Sequence, residues 1–307
     1  MAVKLSARMS ALAALVTPGV RLADVGTDHG YIPVFLCQIG KIPSAIAMDV
    51  NGGPLQRAEA HVAEFGLGDR IKTRLSDGLE KLEPGEADCV LIAGMGGALI
   101  QRILSEGEAV LGSVEELILQ PQSEVPQTRR FLREHGYRIV DEDMVEEDGK
   151  FYFLMKAHRM EDEAEGAEPA GKGEKEASGR REPDGALIPE IRASEPDRQR
   201  LEDTFGPALL QKKHPVLLRW VRREMRIVQL IRRQLLGAMY ETDTGEIGFI
   251  LHEQDETPAS GTGSDKDTSG WQMDEKQRRI MERFHQAEER YRLLAAAQNL
   301  LMESGEK

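Results

Sequence analysis

An α/β fold followed by a smaller, α-helical coiled-coil domain is predicted by three features of the 307-residue sequence. In the first half, short apolar runs alternate with amphipathic stretches, as in β-α units that build a parallel sheet with helices on both faces. Glycine-rich turns follow the first and fourth apolar runs, where ligands approach the strand ends of such sheets. The last third carries two long amphipathic patterns of helical period.

Seven strands are predicted from apolar runs that are bounded by polar turns. They are residues 21–25, 44–49, 70–75, 88–93, 116–120, 136–140 and 151–155. The fourth run is the most apolar, which predicts a strand buried on both faces. The last two runs are joined through an acidic turn at 146–149, and we predict an antiparallel pair at a sheet edge.

Composition divides the chain into three parts. A first domain is predicted over residues 1–158, and residues 159–204 are predicted to be an acidic, largely disordered linker because large apolar side chains are scarce there. Residues 205–303 are predicted to form a helical hairpin with a disordered polar insertion at about 253–270. The hairpin would bury two apolar stripes against each other, namely Leu217, Trp220, Val221, Met225, Val228, Ile231 and Leu235 on one helix and Ile280, Phe284, Ala287, Tyr291, Leu294 and Gln298 on the other.

The net charge of -13 is unevenly distributed along the chain. Residues 205–240 hold eight Lys and Arg side chains and one Glu, so this segment is a candidate for contact with an anionic partner; a solvated helix face is the alternative. No apolar stretch has membrane-spanning length and no export signal is convincing, so a cytoplasmic location is expected. The two cysteines, Cys37 and Cys89, are far apart and are expected to be buried thiols.

The turn after the first predicted strand reads Asp24-Val25-Gly26-Thr27-Asp28-His29-Gly30. Its spacing is not the G-x-G-x-x-G of dinucleotide sites and its acids would repel a pyrophosphate, which disfavours a nicotinamide-dependent oxidoreductase. An acidic glycine turn is complementary to S-adenosylmethionine, which carries a sulfonium and an amino group and no phosphate. A purely structural turn is the alternative.

Two more acids follow the next two predicted strands. Asp49 stands where an acid receives ribose hydroxyls in dinucleotide-type folds, and Asp77 is placed to accept from the exocyclic amine of an adenine. Each could instead cap a helix, but three acids at three successive strand ends favour a nucleoside site. After the fourth strand, the glycines of Ala93-Gly94-Met95-Gly96-Gly97 let the backbone lie close to a ligand or simply form a tight turn.

Together these segments resemble the bacterial tRNA (adenine-N1)-methyltransferase family TrmK, which modifies adenosine 22. The resemblance covers about residues 4–158 and rests on motifs in the same order: Ala23 to Pro33, Asp49-Val50 with Gly53-Pro54, Arg74 to Leu79, Ala93 to Gly97, Gln120-Pro121 and Glu142 to Tyr152. The stretch Phe205-Gly206-Pro207 and the helices after it are similar to that family's coiled-coil domain. The chain departs at Gln122, where Asn is usual, at Gly30, where Ala is common, and in its two polar insertions.

The resemblance implies a Rossmann-like class I methyltransferase fold, S-adenosyl-L-methionine as cofactor, tRNA as partner and no metal. A monomer without a membrane partner is expected. The residues expected to bind the cofactor are Asp24, Gly26, Asp28, Gly30, Asp49, Val50, Ser76, Asp77, Gly78, Ala93, Gly94, Met95 and Gly96. Those expected to bind the RNA are Arg8, Gly97, Gln120, Pro121, Lys212, Lys213, Arg219, Arg222, Arg223 and Arg226.

Asp28, His29 and Tyr31 are the predicted catalytic residues. Adenine N1 has a free lone pair, so alignment with the methyl group dominates over base catalysis. We expect Asp28 to accept from the N6 amine, His29 to position that carboxylate or touch the base, and Tyr31 to stack on it. A capping histidine and a rim aromatic are the alternatives for the last two.

Other functions stay open at this point. The same cofactor could serve methylation of another RNA, a protein or a small molecule, because the fold says little about the acceptor. An RNA-binding module with a lapsed cofactor site is a further alternative, against which the intact set Asp24, Gly26, Asp49 and Asp77 argues.

Overall fold

The computed structural model describes residues 3–160, 195–241 and 275–302. Its strands are β1 Leu22–Val25, β2 Ala45–Asp49, β3 Ile71–Leu75, β4 Cys89–Met95, β5 Glu116–Pro121, β6 Tyr137–Glu147 and β7 Lys150–Arg159. Its helices are α1 Ala7–Leu15, α2 Tyr31–Gln38, α3 Gly52–Glu64, α4 Gly97–Glu106, α5 Glu108–Leu111, α6 Val125–Glu134, α7 Glu195–Phe205, α8 Pro207–Gln211, α9 Pro215–Glu241 and α10 Glu275–Met302.

The seven strands form one sheet in the order β3-β2-β1-β4-β5-β7-β6. The pairs among β1 to β5 are parallel, whereas β7 is antiparallel to both β5 and β6. All seven predicted strands are present, and the antiparallel pair at the edge is confirmed. β6 and β7 are longer than predicted, because their pairing continues from Tyr137–Arg159 to Glu147–Lys150. The strand order reverses direction between β1 and β4, where an open sheet leaves a crevice at its carboxyl edge.

Alternate side chains of the central strands pack on opposite faces of the sheet. In β4, Val90 and Ile92 join the core under α4, α5 and α6, whereas Cys89 and Leu91 join the core under α1, α2 and α3. Every residue of β1 and β2 is buried, as expected for strands covered on both faces. The prediction that both cysteines are buried is confirmed.

The chain divides into two compact units, Met1–Leu217 and Leu218–Lys307. The predicted linker 159–204 is wrong at its C-terminal end, because residues 195–205 form helix α7. Leu201 and Phe205 are buried there although the segment as a whole is polar, so two apolar anchors suffice to dock the helix. The rest of the linker, from residue 161, and the predicted insertion at 253–270 lie outside the described residues.

A buried ion pair joins this helix to the sheet. The Nε atom of Arg129 in α6 donates to Oε1 of Glu142 in β6 at 2.8 Å, and both side chains are almost fully buried. Arg129 also donates to the carbonyl oxygen of Asp203, and the second carboxylate oxygen of Glu142 accepts from the backbone N–H of Ala208 at 3.0 Å. A buried charge is tolerated only when it is paired and hydrogen-bonded in this way.

The second unit contains two helices that contact each other. Arg222 lies opposite Met302 and Arg232 forms an ion pair with Glu288, so α9 and α10 run antiparallel. Their buried side chains include Val221, Val228, Leu235, Ala287, Leu294, Ala297 and Leu301. The predicted stripe is wrong at Ile231, which is exposed, because Arg232 fills that turn of the interface instead. A coiled-coil domain stays a prediction. No helix in the described parts of the chain is long and apolar enough to cross a membrane.

Candidate active site

The acidic glycine turn lies between β1 and α2 and is fastened to β2. The backbone N–H groups of Gly26 and Thr27 both donate to the carbonyl oxygen of Met48, at 2.8 and 2.9 Å. Gly26 has φ +74°, a conformation that a glycine adopts without strain. The turn therefore brings Asp24 and Asp49, at the C-terminal ends of β1 and β2, together at the carboxyl edge of the sheet.

Asp24, the residue before the last of β1, is a buried carboxylate. Thr27 donates its hydroxyl to Oδ2 of Asp24 at 2.6 Å, and only 4% of Asp24 is exposed. The pKa of Asp24 is raised to about 7, mainly by burial; the Thr27 hydrogen bond opposes this shift, and the nearby charge of Asp49 adds to it. A cation that entered this site would be attracted to the ionised form.

The other two predicted acids occupy the next strand ends. Asp49 is 7% exposed, and its carboxylate accepts from the backbone N–H of Asn51 at 2.9 Å. The N–H of Ser76 donates to the carbonyl of Asp49, which joins the third strand end to the second. Asp77 is more open and forms an ion pair with Arg102 of α4 at 3.3 Å. The side chain of Val50 is 57% exposed beside these acids, and Gly78 has φ +53°.

The glycine run after β4 approaches the neighbouring loop closely. A Cβ atom on Gly97 would lie 2.6 Å from the carbonyl oxygen of Ser123, so only glycine fits there. Gly94 has φ +78° and lies opposite the side chains of Gln122 and Arg8. The Met95 side chain lies over Gly26, where an added Cβ would be 2.3 Å from its methyl group. These close contacts are with protein groups, and the approach of residues 93–97 to a ligand stays a prediction.

The three predicted catalytic residues lie together at the N-terminus of α2, which begins at Tyr31. His29 Nε2 is 3.5 Å from Oδ2 of Asp28, and the rings of His29 and Tyr31 stack with centroids 5.2 Å apart. Asp28 has φ +49°, a left-handed conformation that Asp adopts more readily than most residues. Two side chains of α3, Arg57 and His61, contact this turn and were not predicted from the sequence; their spacing of four residues places both on one helix face.

Arg8 and Gln120 meet at the same sheet edge. Nη1 of Arg8 donates to Oε1 of Gln120 at 2.9 Å, and Gln120 is fully buried next to buried Pro121. The Arg8 guanidinium also lies 5.2 Å from the centre of the Tyr152 ring, and Glu147 accepts from its backbone N–H at 3.1 Å. Glu147 and Tyr152 lie in the motif 142–152, but nothing in the sequence assigned them this contact.

The basic residues predicted to bind RNA lie in both units. In the first unit, Lys212 forms an ion pair with Asp141 and donates to the carbonyl of Glu142, so part of its charge is already compensated. In the second unit, exposed arginines follow one another along α9: Arg219, Arg222, Arg223 and Arg226. Lys213 is also exposed and has φ +51°.

The donor set at the sheet edge fits a cationic nucleoside. Two buried carboxylates and one open carboxylate surround the turn, and glycines leave the backbone accessible. Such a set is complementary to a sulfonium, an ammonium and ribose hydroxyls, and it is unsuited to a pyrophosphate. Within the described ranges, no cluster of three or more His, Cys, Asp or Glu side chains is arranged to hold a metal ion.

The fold and this site define a methyltransferase: residues 5–155 match the family model for a methyltransferase domain. The tRNA (adenine(22)-N(1))-methyltransferase of Bacillus subtilis is 42% identical over 154 residues, which are 50% of this chain and 65% of that protein. The chain thus matches slightly less than two thirds of the curated relative's length. The chain is thus similar to bacterial tRNA (adenine(22)-N(1))-methyltransferases, among them TrmK of Bacillus subtilis.

Solved structures are similar over nearly the whole chain. The crystal structure of the Bacillus subtilis M1A22 tRNA methyltransferase TrmK has a TM-score of 0.65 and 27% identity, covering 96% of this chain and 99% of that one. The Streptococcus pneumoniae protein Sp1610, solved in complex with S-adenosyl-L-methionine, has a TM-score of 0.61 and 28% identity, covering 94% of this chain and 100% of that one.

Proposed function

We propose that the protein transfers the methyl group of S-adenosyl-L-methionine to N1 of adenosine 22 in tRNA. The observation that carries this proposal is the structural likeness to TrmK over 96% of the chain, which includes the C-terminal helices as well as the methyltransferase domain. The higher identity of 42% within the domain supports the same conclusion.

Three carboxylates would hold the cofactor. Asp24 would face its cationic methionine part, Asp49 its ribose hydroxyls and Asp77 its adenine amine. The cofactor supplies an electrophilic methyl group on a sulfonium. Asp77 is already paired with Arg102. When the cofactor binds, the carboxylate of Asp77 would give up this contact and accept from the adenine amine instead.

The chain's own residues would hold and orient the target base. Adenine N1 needs no proton removed, so alignment supplies most of the rate enhancement. Asp28 would accept from the exocyclic N6 amine and stabilise the positive charge that the ring gains on methylation. Tyr31, stacked with His29, offers an aromatic face to a base that has left its own stack.

The C-terminal helices would bind the tRNA as a coiled-coil domain. An adenosine inside the folded tRNA must be extracted, which costs a few kcal/mol that contacts to the backbone can offset. The exposed arginines of α9, together with Lys213, are suited to phosphates, and Lys212 would contribute only if its pair with Asp141 opened. We propose a cytoplasmic monomer that needs no metal.

The decisive experiment measures transfer of labelled methyl from S-adenosyl-L-methionine to unmodified tRNA transcripts and maps the modified nucleoside. We expect 1-methyladenosine at position 22 and no label when that base is replaced by guanosine. Label in another RNA, in protein or in a small molecule would keep the methyltransferase and change the acceptor. Absence of cofactor binding would reject the proposal.

A further inference from the structure

One face of helix α3 contacts the turn that carries the predicted catalytic residues. Arg57 and His61 are four residues apart, so they project from the same side of the helix. Ala58, between them, packs against Gly30: a Cβ atom added to Gly30 would lie only 3.2 Å from the Cβ of Ala58. The absence of a side chain at position 30 therefore lets α3 lie directly against residues 28–31.

Arg57 holds the carboxylate of Asp28. Its Nη2 atom donates to Oδ1 of Asp28 at 2.8 Å, whereas His29 lies 3.5 Å from the other carboxylate oxygen. The two side chains of the Arg57–Asp28 pair are 48% and 61% exposed, so the pair adds little to the stability of the fold. Its strength would rise when a bound base excludes water, because the effective dielectric constant falls.

His61 holds the next residue of the turn. Its Nδ1 atom is 2.8 Å from the carbonyl oxygen of His29, and since a carbonyl can only accept, Nδ1 carries the proton. The His61 ring also lies 4.9 Å from the ring centre of Tyr31 and 5.8 Å from that of His29. His61 thus holds the backbone between His29 and Tyr31, and its ring adds a third member to the stack of these two side chains.

We propose that Arg57 and His61 are positioning residues, which orient Asp28, His29 and Tyr31 for the target adenine. The proposal rests on the proposed function, because it assigns these three residues to the acceptor base. Arg57 fixes which carboxylate oxygen of Asp28 is free to accept from the base amine. His61 fixes the direction in which the aromatic pair faces.

A double-mutant cycle between Arg57→Gln and Asp28→Asn tests whether Arg57 orients Asp28. If Arg57 acts through Asp28, Arg57→Gln lowers kcat about tenfold in the wild-type background, yet changes it by less than about twofold in the Asp28→Asn background. The KM for tRNA and the Kd for S-adenosyl-L-methionine stay within about twofold of wild type. Gln56→Ala, at an exposed position beside Arg57 on α3, is the control and leaves all three constants unchanged.

Other outcomes overturn the assignment. Equal losses in the two backgrounds contradict action through Asp28, and a raised KM for tRNA with unchanged kcat makes Arg57 a phosphate contact. If the wild-type protein binds the cofactor and methylates no tRNA, the proposed function fails, and the positioning role for a tRNA adenine falls with it.

His61→Phe and His61→Ala test whether His61 orients the rings of His29 and Tyr31. Phe keeps the stacked ring and loses the hydrogen bond, whereas Ala loses both, so kcat should fall in the order wild type, Phe, Ala. A nitrogen-15 spectrum of the free protein gives a readout without activity: neutral His61 should show the Nδ1–H tautomer. The Nε2–H tautomer, or equal kcat values for wild type and Ala, would contradict the positioning role.

Discussion

Arg8 and Gln120 are joined by a hydrogen bond of 2.9 Å although 112 positions separate them in the sequence. A guanidinium has no acceptor, so the carboxamide oxygen of Gln120 must face Arg8 and its NH2 group must face away. That Nε2 atom is buried and has no hydrogen-bond partner in the part of the chain that the structure describes. The pair therefore links helix α1 to the end of β5 and leaves one buried donor at the carboxyl edge of the sheet.

Removing Arg8 should cost stability, because it leaves both polar atoms of the Gln120 amide unpaired. We expect Arg8→Met to lower the free energy of unfolding by about 1–3 kcal/mol. Replacing both partners, as in Arg8→Met with Gln120→Leu, should recover part of this loss because no buried amide is left unsatisfied. Urea denaturation of the wild type, Arg8→Met, Gln120→Leu and the double variant measures the coupling; a double variant less stable than Arg8→Met would argue against it.

Asp24 should make the stability of the cofactor-free protein depend on pH. Its folded pKa of about 7 lies above the ordinary value of 3.8 for an aspartate, so the folded state binds more protons than the unfolded state between these two pH values. The contribution of Asp24 to the free energy of unfolding therefore falls as pH rises from about 4 to about 7, by at most about 1.4 kcal/mol per pH unit. Above about pH 7 this contribution no longer changes with pH.

Asp24→Asn removes this titration and can still accept from Thr27. Relative to wild type, we expect the variant to gain stability progressively between pH 5 and 7.5, and to bind S-adenosyl-L-methionine more weakly. Denaturation of both proteins at a series of pH values without cofactor gives the difference between their free energies of unfolding. The contributions of the other titrating groups cancel in this difference. A difference that is independent of pH would contradict the raised pKa.

Gly206 should not tolerate a side chain. It has φ +93°, and an added Cβ would lie 2.5 Å from a carboxylate oxygen of the buried Glu142. Gly206→Ala combines backbone strain of about 1–3 kcal/mol with displacement of an ion-paired carboxylate, so we expect the free energy of unfolding to fall by more than about 2 kcal/mol. Gly136→Ala is the control, because Gly136 has φ +74° and open space around it. Equal losses in the two variants, measured by thermal denaturation, would show that strain alone acts.

Much of the fold was predictable because each strand is bounded by turns and its apolar run is short. The three strand-end acids followed from the same logic, since parallel strands end at one edge. The sequence does not predict helix α7 because, among the residues whose burial the structure describes there, Leu201 and Phe205 are the buried apolar side chains, too few to outweigh its polar composition. Composition reports an average, and a docked helix needs only one apolar stripe.

The partners of the site residues were less accessible to sequence analysis. Arg57 and His61 belong to α3, an amphipathic helix whose face toward the turn becomes apparent only from the packing of Ala58 on Gly30. Arg8 could be placed near the site by resemblance, but its contact with Gln120 depends on how α1 lies against β6 and β7. Long-range pairs of this kind have no local sequence pattern.

Charge reversal on α9 should weaken tRNA binding. If Arg222 and Arg226 each neutralise one phosphate, the double change to Glu should reduce the slope of log K against log salt by about 2. Binding of S-adenosyl-L-methionine should not change. Arg278→Glu with Arg283→Glu, at two exposed positions on α10, changes the net charge by the same amount and is the control. Filter binding at several salt concentrations measures the slope, and a slope equal to that of wild type would remove these arginines from the interface.

Replacing Asp28 should separate turnover from cofactor binding. Asp28→Ala should lower kcat about 10²-fold, because the carboxylate no longer stabilises the charge that develops on the base, while the Kd for S-adenosyl-L-methionine stays within about twofold. Alanine is strained at φ +49°, so Asp28→Asn and Asp28→Gly are needed as well, since both residues accept this conformation. If all three variants lose turnover, the missing charge is responsible and not the backbone. If Asn and Gly retain wild-type turnover, the carboxylate has no part in the reaction.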